Sequence, residues 1–269
     1  MATRCSTLAL PIAALALAGT ASADLFHDDF ESYTNGALPG GEWHDIFERA
    51  VDRPVPSPSM TVIDTTDAHG NATKAMQSSV VKGTNGAFVP IAHAKTHTVS
   101  MDVRIDQLAA PGQGWPAGVG FIKDLGDPSV DVNRNPQAIL YGWTDRRWRF
   151  FATQSNGTPN KDDQLSGPRF VLGTWYRLTV TVDTEIGLLQ ATVADAATGQ
   201  IRNTGSHSFT NWDVENGMFD AFTMFDGESE NSTTVGQATV DNVTYTPAPG
   251  AATAILTLAL GAGARRRRR

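Results

Sequence analysis

Two stretches of this chain alternate apolar and polar side chains residue by residue, which forbids a helix and demands a strand buried on one face. From Thr98 to Ile105, Val99, Met101, Val103 and Ile105 fall on one side. From Trp175 to Val182, Tyr176, Leu178, Val180 and Val182 do the same, with Arg177, Thr179 and Thr181 opposite. A strand of this kind needs a partner layer over its apolar face, so the chain must build at least two layers.

Further strand-like runs cover Met60–Thr65, Ala117–Ile122, Ala138–Trp143, Trp148–Ala152, Leu188–Val193, Met218–Phe225 and Gln237–Tyr245. Asp183 to Gly187 predicts a hairpin, and a tight polar turn is expected at Asp145-Arg146. Asn-Gly pairs at 35–36, 85–86 and 156–157 are expected to be turns. No helical period is evident between the two ends of the chain. The reading is all-β, ten or more strands in a two-sheet antiparallel jelly-roll sandwich. The strand Leu25–Glu31 is expected to lie beside the closing strand Thr239–Tyr245.

The ends read differently. Arg4, the apolar run Leu8–Ala18 and Ala21-Ser22-Ala23 have the form of a secretory signal peptide over residues 1–23. The sandwich is expected over 24–246. Residues 247–269 hold a Pro-containing hinge, an apolar run from Ala251 to Ala264 and five terminal arginines. That run, about fifteen residues, is shorter than the roughly 20 of a permanent helical span. Arginines at its end would stay on the cytoplasmic side. The one cysteine, Cys5, falls in the signal peptide, so no disulfide is expected in the domain.

Pro247 to Arg269 resembles the PEP-type C-terminal sorting domain, although Ala248 stands where that family has a glutamate. The resemblance implies processing by an exosortase-like membrane enzyme, transient membrane contact, and a cell-envelope, cell-surface or extracellular-matrix destination after Sec export. A simple membrane anchor that stays on is the competing reading.

Charge bears on partners. The chain has 21 Lys+Arg and 28 Asp+Glu; without Arg4 and the five terminal arginines the balance is 15 against 28, or −13. Such a surface repels nucleic acid and suits a cation that takes oxygen ligands.

The opening Asp28-Asp29-Phe30-Glu31-Ser32-Tyr33 with Gly36 to Gly40, the block Gly173 to Leu178, and the closing Val240-Asp241-Asn242-Val243 resemble concanavalin A-like, laminin-G-like jelly rolls of secreted bacterial proteins. The resemblance implies a structural Ca2+ where an early-strand Glu meets a last-strand Asp. The matching residues are Glu31 and Asp241, with Asp29 as a further ligand. Two carboxylates brought together on neighbouring strands repel unless a cation or proton separates them.

A pyranose stacks its apolar face on an aromatic ring, so tryptophans beside polar groups mark a sugar platform. Six are present: Trp43, Trp115, Trp143, Trp148, Trp175 and Trp212. The hairpin carrying Tyr141, Trp143, Asp145, Arg146, Trp148 and Arg149 is the best candidate, with Tyr141 and Trp143 on one face and Trp148 and Phe150 on one face. Trp115, expected on a loop, would join them. The carbohydrate-binding set is Tyr141, Trp143, Arg146, Trp148 and Trp115; Trp175 is expected to be structural.

Catalysis has less behind it. No Glu-x-Asp-x-x-Glu signature, Gly-x-Ser-x-Gly elbow or recognisable lyase constellation is present. His93 and His97 on a strand would stand about 13 Å apart, too far to share a zinc ion, and the histidines are expected at surface or turn positions. The Asn-x-Ser/Thr triplets at Asn71, Asn231 and Asn242 are taken as coincidental. The expected protein is a non-catalytic surface or matrix protein whose calcium-supported jelly roll binds polysaccharide. A carbohydrate-active enzyme (glycoside hydrolase or polysaccharide lyase) and a purely structural protein are the alternatives.

Overall fold

The computed structural model describes residues 26–45, 59–78, 84–92, 94–112, 114–123, 137–153, 159–208, 219, 221–228, 234 and 236–248. The signal-peptide region, the end of the chain beyond Ala248, His93, Trp212, Asn231 and the Asn-Gly pair at 156–157 lie outside them. Among the described residues no helix is long and apolar enough to cross a membrane.

The described residues form two antiparallel sheets. The larger runs β13 (Ile201–Ser208), β12 (Leu188–Asp195), β11 (Trp175–Asp183), β6 (Thr96–Gln107), β15 (Gln237–Ala248), β4 (Ala72–Ser78) and β3 (Met60–Thr66), and β1 (Phe26–Asp28) also pairs with β15. The smaller runs β10 (Pro159–Gln164), β9 (Trp148–Thr153), β8 (Gln137–Gly142), β7 (Gly114–Ile122), β14 (Ala221–Glu228), β5 (Thr84–Pro90) and β2 (His44–Asp45). The expected two-sheet sandwich is present. First and last strands are neighbours, with Phe26 opposite Tyr245 and Asp28 opposite Val243.

Alternation explains the core. Val99, Met101, Val103 and Ile105 of β6 and Leu178, Val180 and Val182 of β11 are buried against Ala117, Val119 and Phe121 of β7 and Phe222 and Met224 of β14. Each of these side chains larger than alanine contributes roughly 1.5–3 kcal/mol by leaving water. In β15 the inward positions are Ala238, Val240, Val243 and Tyr245. The switch of parity is made by a bulge, where the register with β6 shifts between Asp241 and Thr244 and Asn242 takes φ 49°. Asparagine tolerates that left-handed geometry better than most residues, and without it Tyr245 would face water.

Phe30 also has a positive φ, 60°, while being fully buried. Its N–H donates to the Asp28 carboxylate at 2.8 Å, and its ring packs beside Trp43 and Tyr33. Core packing thus holds a backbone geometry that a bulky residue otherwise avoids.

Some expectations need correction. Asn85-Gly86 is no turn; both residues lie inside β5. Gly86 is needed there because a Cβ would stand 2.7 Å from the Met224 carbonyl oxygen of β14. His97 is neither surface nor turn. It is fully buried on the inward parity of β6, with Nδ1 2.9 Å from the Tyr245 hydroxyl. Strands β4 and β13 escaped notice because Ala72–Ser78 and Ile201–Ser208 offer few large apolar side chains to reveal a period.

Candidate functional site

The outer face of the smaller sheet, turned away from the core, carries an aromatic row. Tyr141 of β8 and Phe225 of β14 flank Gly118 of β7 on one rung. A Cβ on Gly118 would stand 2.7 Å from the Phe225 ring, so that ring lies over bare backbone. Trp115 of β7 sits 5.2 Å from Tyr141 and 5.7 Å from Phe225, and Trp143, just past β8, is 6.1 Å from Tyr141 and edge-on to it. Tyr141 and Phe225 are buried, while Trp115 and Trp143 are half-buried. Each indole therefore keeps part of its surface open.

A charged group closes the row. The Arg149 guanidinium lies over the Trp143 ring at 5.2 Å and donates to the Asp145 carboxylate at 2.9 Å. The ion pair holds the cation above the indole. The turn that places these groups is tight: the Trp143 N–H donates to the Arg147 carbonyl, and the Arg146 N–H to the Trp143 carbonyl, each at 2.9 Å.

The expected platform is thus rearranged. Tyr141, Trp143 and Trp115 come together, and Trp115 does so from a strand. Trp148 is a correction: it points into the core, 1% exposed, against Phe170 at 5.0 Å and Tyr176 at 5.6 Å. Gly142 pairs with Trp148 and Tyr141 with Arg149, so even-numbered residues of both strands face the core and odd-numbered ones face outward, and the hairpin's two tryptophans look opposite ways. Arg146 stays at the tip of the turn. It is exposed, with φ 65° at the turn, and the guanidinium over the row belongs to Arg149. Phe225 and Gly118 were missed, although Phe225 alternates with Phe222 and Met224 in β14. Trp175 is structural as expected: nearly buried, it donates from Nε1 to the Thr66 carbonyl at 2.9 Å and lies 4.9 Å beneath the Arg104 guanidinium.

The carboxylates near the chain ends also meet. The Thr73 hydroxyl is 2.6 Å from Glu31 and 3.4 Å from Asp241. Asp241 is buried, and burial first, then the neighbouring Asp102 and Glu31 charges, push its carboxyl up to about 6. Glu31 is exposed, and the Thr73 hydroxyl followed by the Lys74 N–H hold it below its ordinary value. Asp29 does not join them: it is exposed and accepts the Glu31 N–H at 3.2 Å within its own turn.

This donor set does not fit calcium well. Calcium takes six to eight oxygens. Among the described residues no three His, Cys, Asp or Glu side chains gather to hold a metal. The main-chain oxygens beside the pair face a cation already, since the Lys74 ammonium donates to the Tyr33 carbonyl at 2.6 Å and the Glu31 carbonyl at 3.3 Å.

A cleft of about 680 Å³ opens beside β1, lined among others by Phe26, Asp28, Tyr33 and Glu42. Its carboxylate Asp28 is committed internally, accepting from the Tyr33 hydroxyl and the Trp43 Nε1–H at 2.8 Å each.

No protein-family model matches the chain, and no curated protein matches it. Its fold is similar to that of solved structures. A Shewanella oneidensis MR-1 protein of unknown function matches with TM-score 0.53 at 10% identity, over 84% of this chain and 87% of that one. A sialidase matches with TM-score 0.50 at 12% identity, over 84% of this chain and 19% of its own. Arcelin-5, a lectin-like defence protein of Phaseolus vulgaris, matches with TM-score 0.49 at 10% identity, over 85% of this chain and 99% of its own. At these identities the likeness concerns the fold alone, a two-sheet antiparallel sandwich.

Proposed function

We propose that this chain is an exported, non-catalytic surface or matrix protein whose sandwich binds polysaccharide on the outer face of its smaller sheet. The observation that carries the reading is the row of Trp115, Tyr141 and Trp143, two of them half-open, closed by the Arg149–Asp145 pair. A sugar ring would stack on an indole, and the ion pair would take its hydroxyls. Export and sorting rest on the sequence of the two ends: Arg4 with Leu8–Ala18, and Pro247 to the terminal arginines. An exosortase-like enzyme would process the latter in the membrane. At the Glu31–Asp241 pair we read Lys74 as the balancing cation; calcium is the competing occupant.

A glycan array probed with the purified chain tests the binding. Trp143→Ala and Trp115→Ala should each abolish retention of at least one bound glycan while the fold persists. Unchanged retention in both removes the reading. Release of reducing sugar or unsaturated uronate from a polysaccharide panel would replace it with an enzymatic one.

A further inference from the structure

We propose that the outer face of the larger sheet carries a second, chemically different site: a charge-free groove lined by hydroxyls that takes an uncharged polysaccharide chain. The ladder registers align two rows of polar residues across five adjoining strands. One row is Thr204, Thr192, Thr179, Ser100 and Thr244. The next is Ser206, Gln190, Thr181, Thr98 and Thr246. Neighbouring strands lie about 4.8 Å apart and alternate residues about 6.7 Å, so the rows form a regular lattice.

The lattice is held in place laterally. Thr98 and Thr181 hydroxyls are 3.0 Å apart, and those of Ser100 and Thr179 are 2.8 Å apart. A hydroxyl has one donor and two acceptor positions, so each pair spends one donor and keeps another for a ligand. Over β11, β12 and β13 the face dips into a groove of about 400 Å³, lined by Thr179, Thr181, Gln190, Thr192, Thr204 and Ser206.

Charge selects the occupant. Neither row holds a charged side chain, although the chain as a whole carries net charge −7. Among the described residues the flanking ion pairs sit just beyond the rows, Arg177 with Asp102 and Arg202 with Asp195 on one side and Lys95 with Glu185 on the other. An anionic chain would lose hydration here and meet only cations already paired with carboxylates, Arg177 with Asp102 and Arg202 with Asp195. Among the described residues no aromatic ring lines the groove, so apolar and flat ligands gain little. A neutral chain with many hydroxyls matches the lattice donor for acceptor. A second copy of this chain fits less well, because the core of a stable interface is more apolar than this.

The test is native affinity electrophoresis of the full chain in gels containing laminarin, pullulan or hydroxyethyl cellulose, all uncharged, with alginate as the anionic control. At least one neutral polymer should retard the chain, insensitively to salt. The double variant Thr179→Val, Thr192→Val keeps side-chain shape and should weaken that retardation about tenfold or more. Trp143→Ala should leave it in place. If the double variant fails to fold, Thr204→Val on the edge strand β13 gives the same reading. Retardation by none of the neutral polymers, or by alginate alone, overturns the proposal. So does full retardation of the valine variants, or a dimer in light scattering that those variants dissociate. Loss in Trp143→Ala with none in the valine variants would support the aromatic row and overturn the groove; the reverse would separate the two the other way.

Discussion

Glu31 and Asp241, from the two ends of the described chain, meet on the hydroxyl of Thr73, 2.6 Å from one carboxylate and 3.4 Å from the other. Shared hydrogen bonding has not made them alike. Asp241 is buried beside Asp102 on β6, whereas Glu31 stays in water and collects a main-chain N–H as well. One is therefore hard to ionise and the other easy.

Stability should fall between about pH 4 and pH 6 through Asp241. Its folded carboxyl, near 6, lies above the ordinary 3.8, so the native state holds the proton more tightly than the unfolded chain. The contribution is present below the unfolded value and lost as pH rises through the folded one, by about 3 kcal/mol. Thermal midpoints of Asp241→Asn measured across this range should lose that slope and exceed the parent at pH 7. A slope unchanged by the substitution would show that Asp241 titrates normally.

Lys74 should matter more than calcium. Lys74→Met removes the donor to the Tyr33 and Glu31 carbonyls and should lower the thermal midpoint, by an amount typical of a charge-assisted hydrogen bond, about 1.5–3 kcal/mol. Calcium or chelator should leave the midpoint of the parent chain in place. A rise with calcium and a fall with chelator would hand the site back to the metal.

The two tryptophans of the β8–β9 hairpin should behave oppositely. Trp148→Ala empties core space against Phe170 and Tyr176 and should cost about 3–5 kcal/mol. Trp143→Ala, at a half-buried position, should cost about 1 kcal/mol or less. Urea unfolding of the two variants compares them directly, and equal losses would contradict the opposed orientation.

Asp28→Asn should disturb both stability and a phenol. The carboxylate accepts from the Phe30 N–H, the Tyr33 hydroxyl and the Trp43 indole, and an amide cannot accept from all three with the same oxygens. A loss of about 2 kcal/mol is expected. Tyr33, pushed up to about 12 by burial first and Asp28 second, should fall part of the way back in an ultraviolet titration. An unmoved phenol would exclude the Asp28 contribution.

Much of the sandwich was legible because its central strands are strictly alternating. The sequence alone orients β6 and β11 residue by residue, and Asp183-to-Gly187 closes its hairpin as expected, with Asp183 accepting the Glu185 and Ile186 N–H groups. Polar edge strands such as β13 offered no such signal. For Gly86, a local rule for turns lost to a tertiary need, the close approach of β14.

Site residues were legible by type and only partly by place. Alternation grouped Tyr141 with Trp143 and Trp148 with Phe150, yet both pairs are aromatic, and hydrophobicity does not label one face as core. Gly118 shows the gap most clearly: its part in the row is an absent side chain beneath a ring from β14, a distant part of the chain.

By itself, the amino-acid order determined that the middle of this chain is a stack of strands and which side chains of β6 and β11 share the face turned to the opposite layer, because a period of two is a local property. Tertiary structure alone decided which aromatic face stays open, that Lys74 rather than a third acid reaches the carbonyls beside Glu31, and that uncharged polar side chains from five strands share two rungs. Those outcomes depend on register between segments far apart in sequence, and register is set by the packing of the whole sandwich.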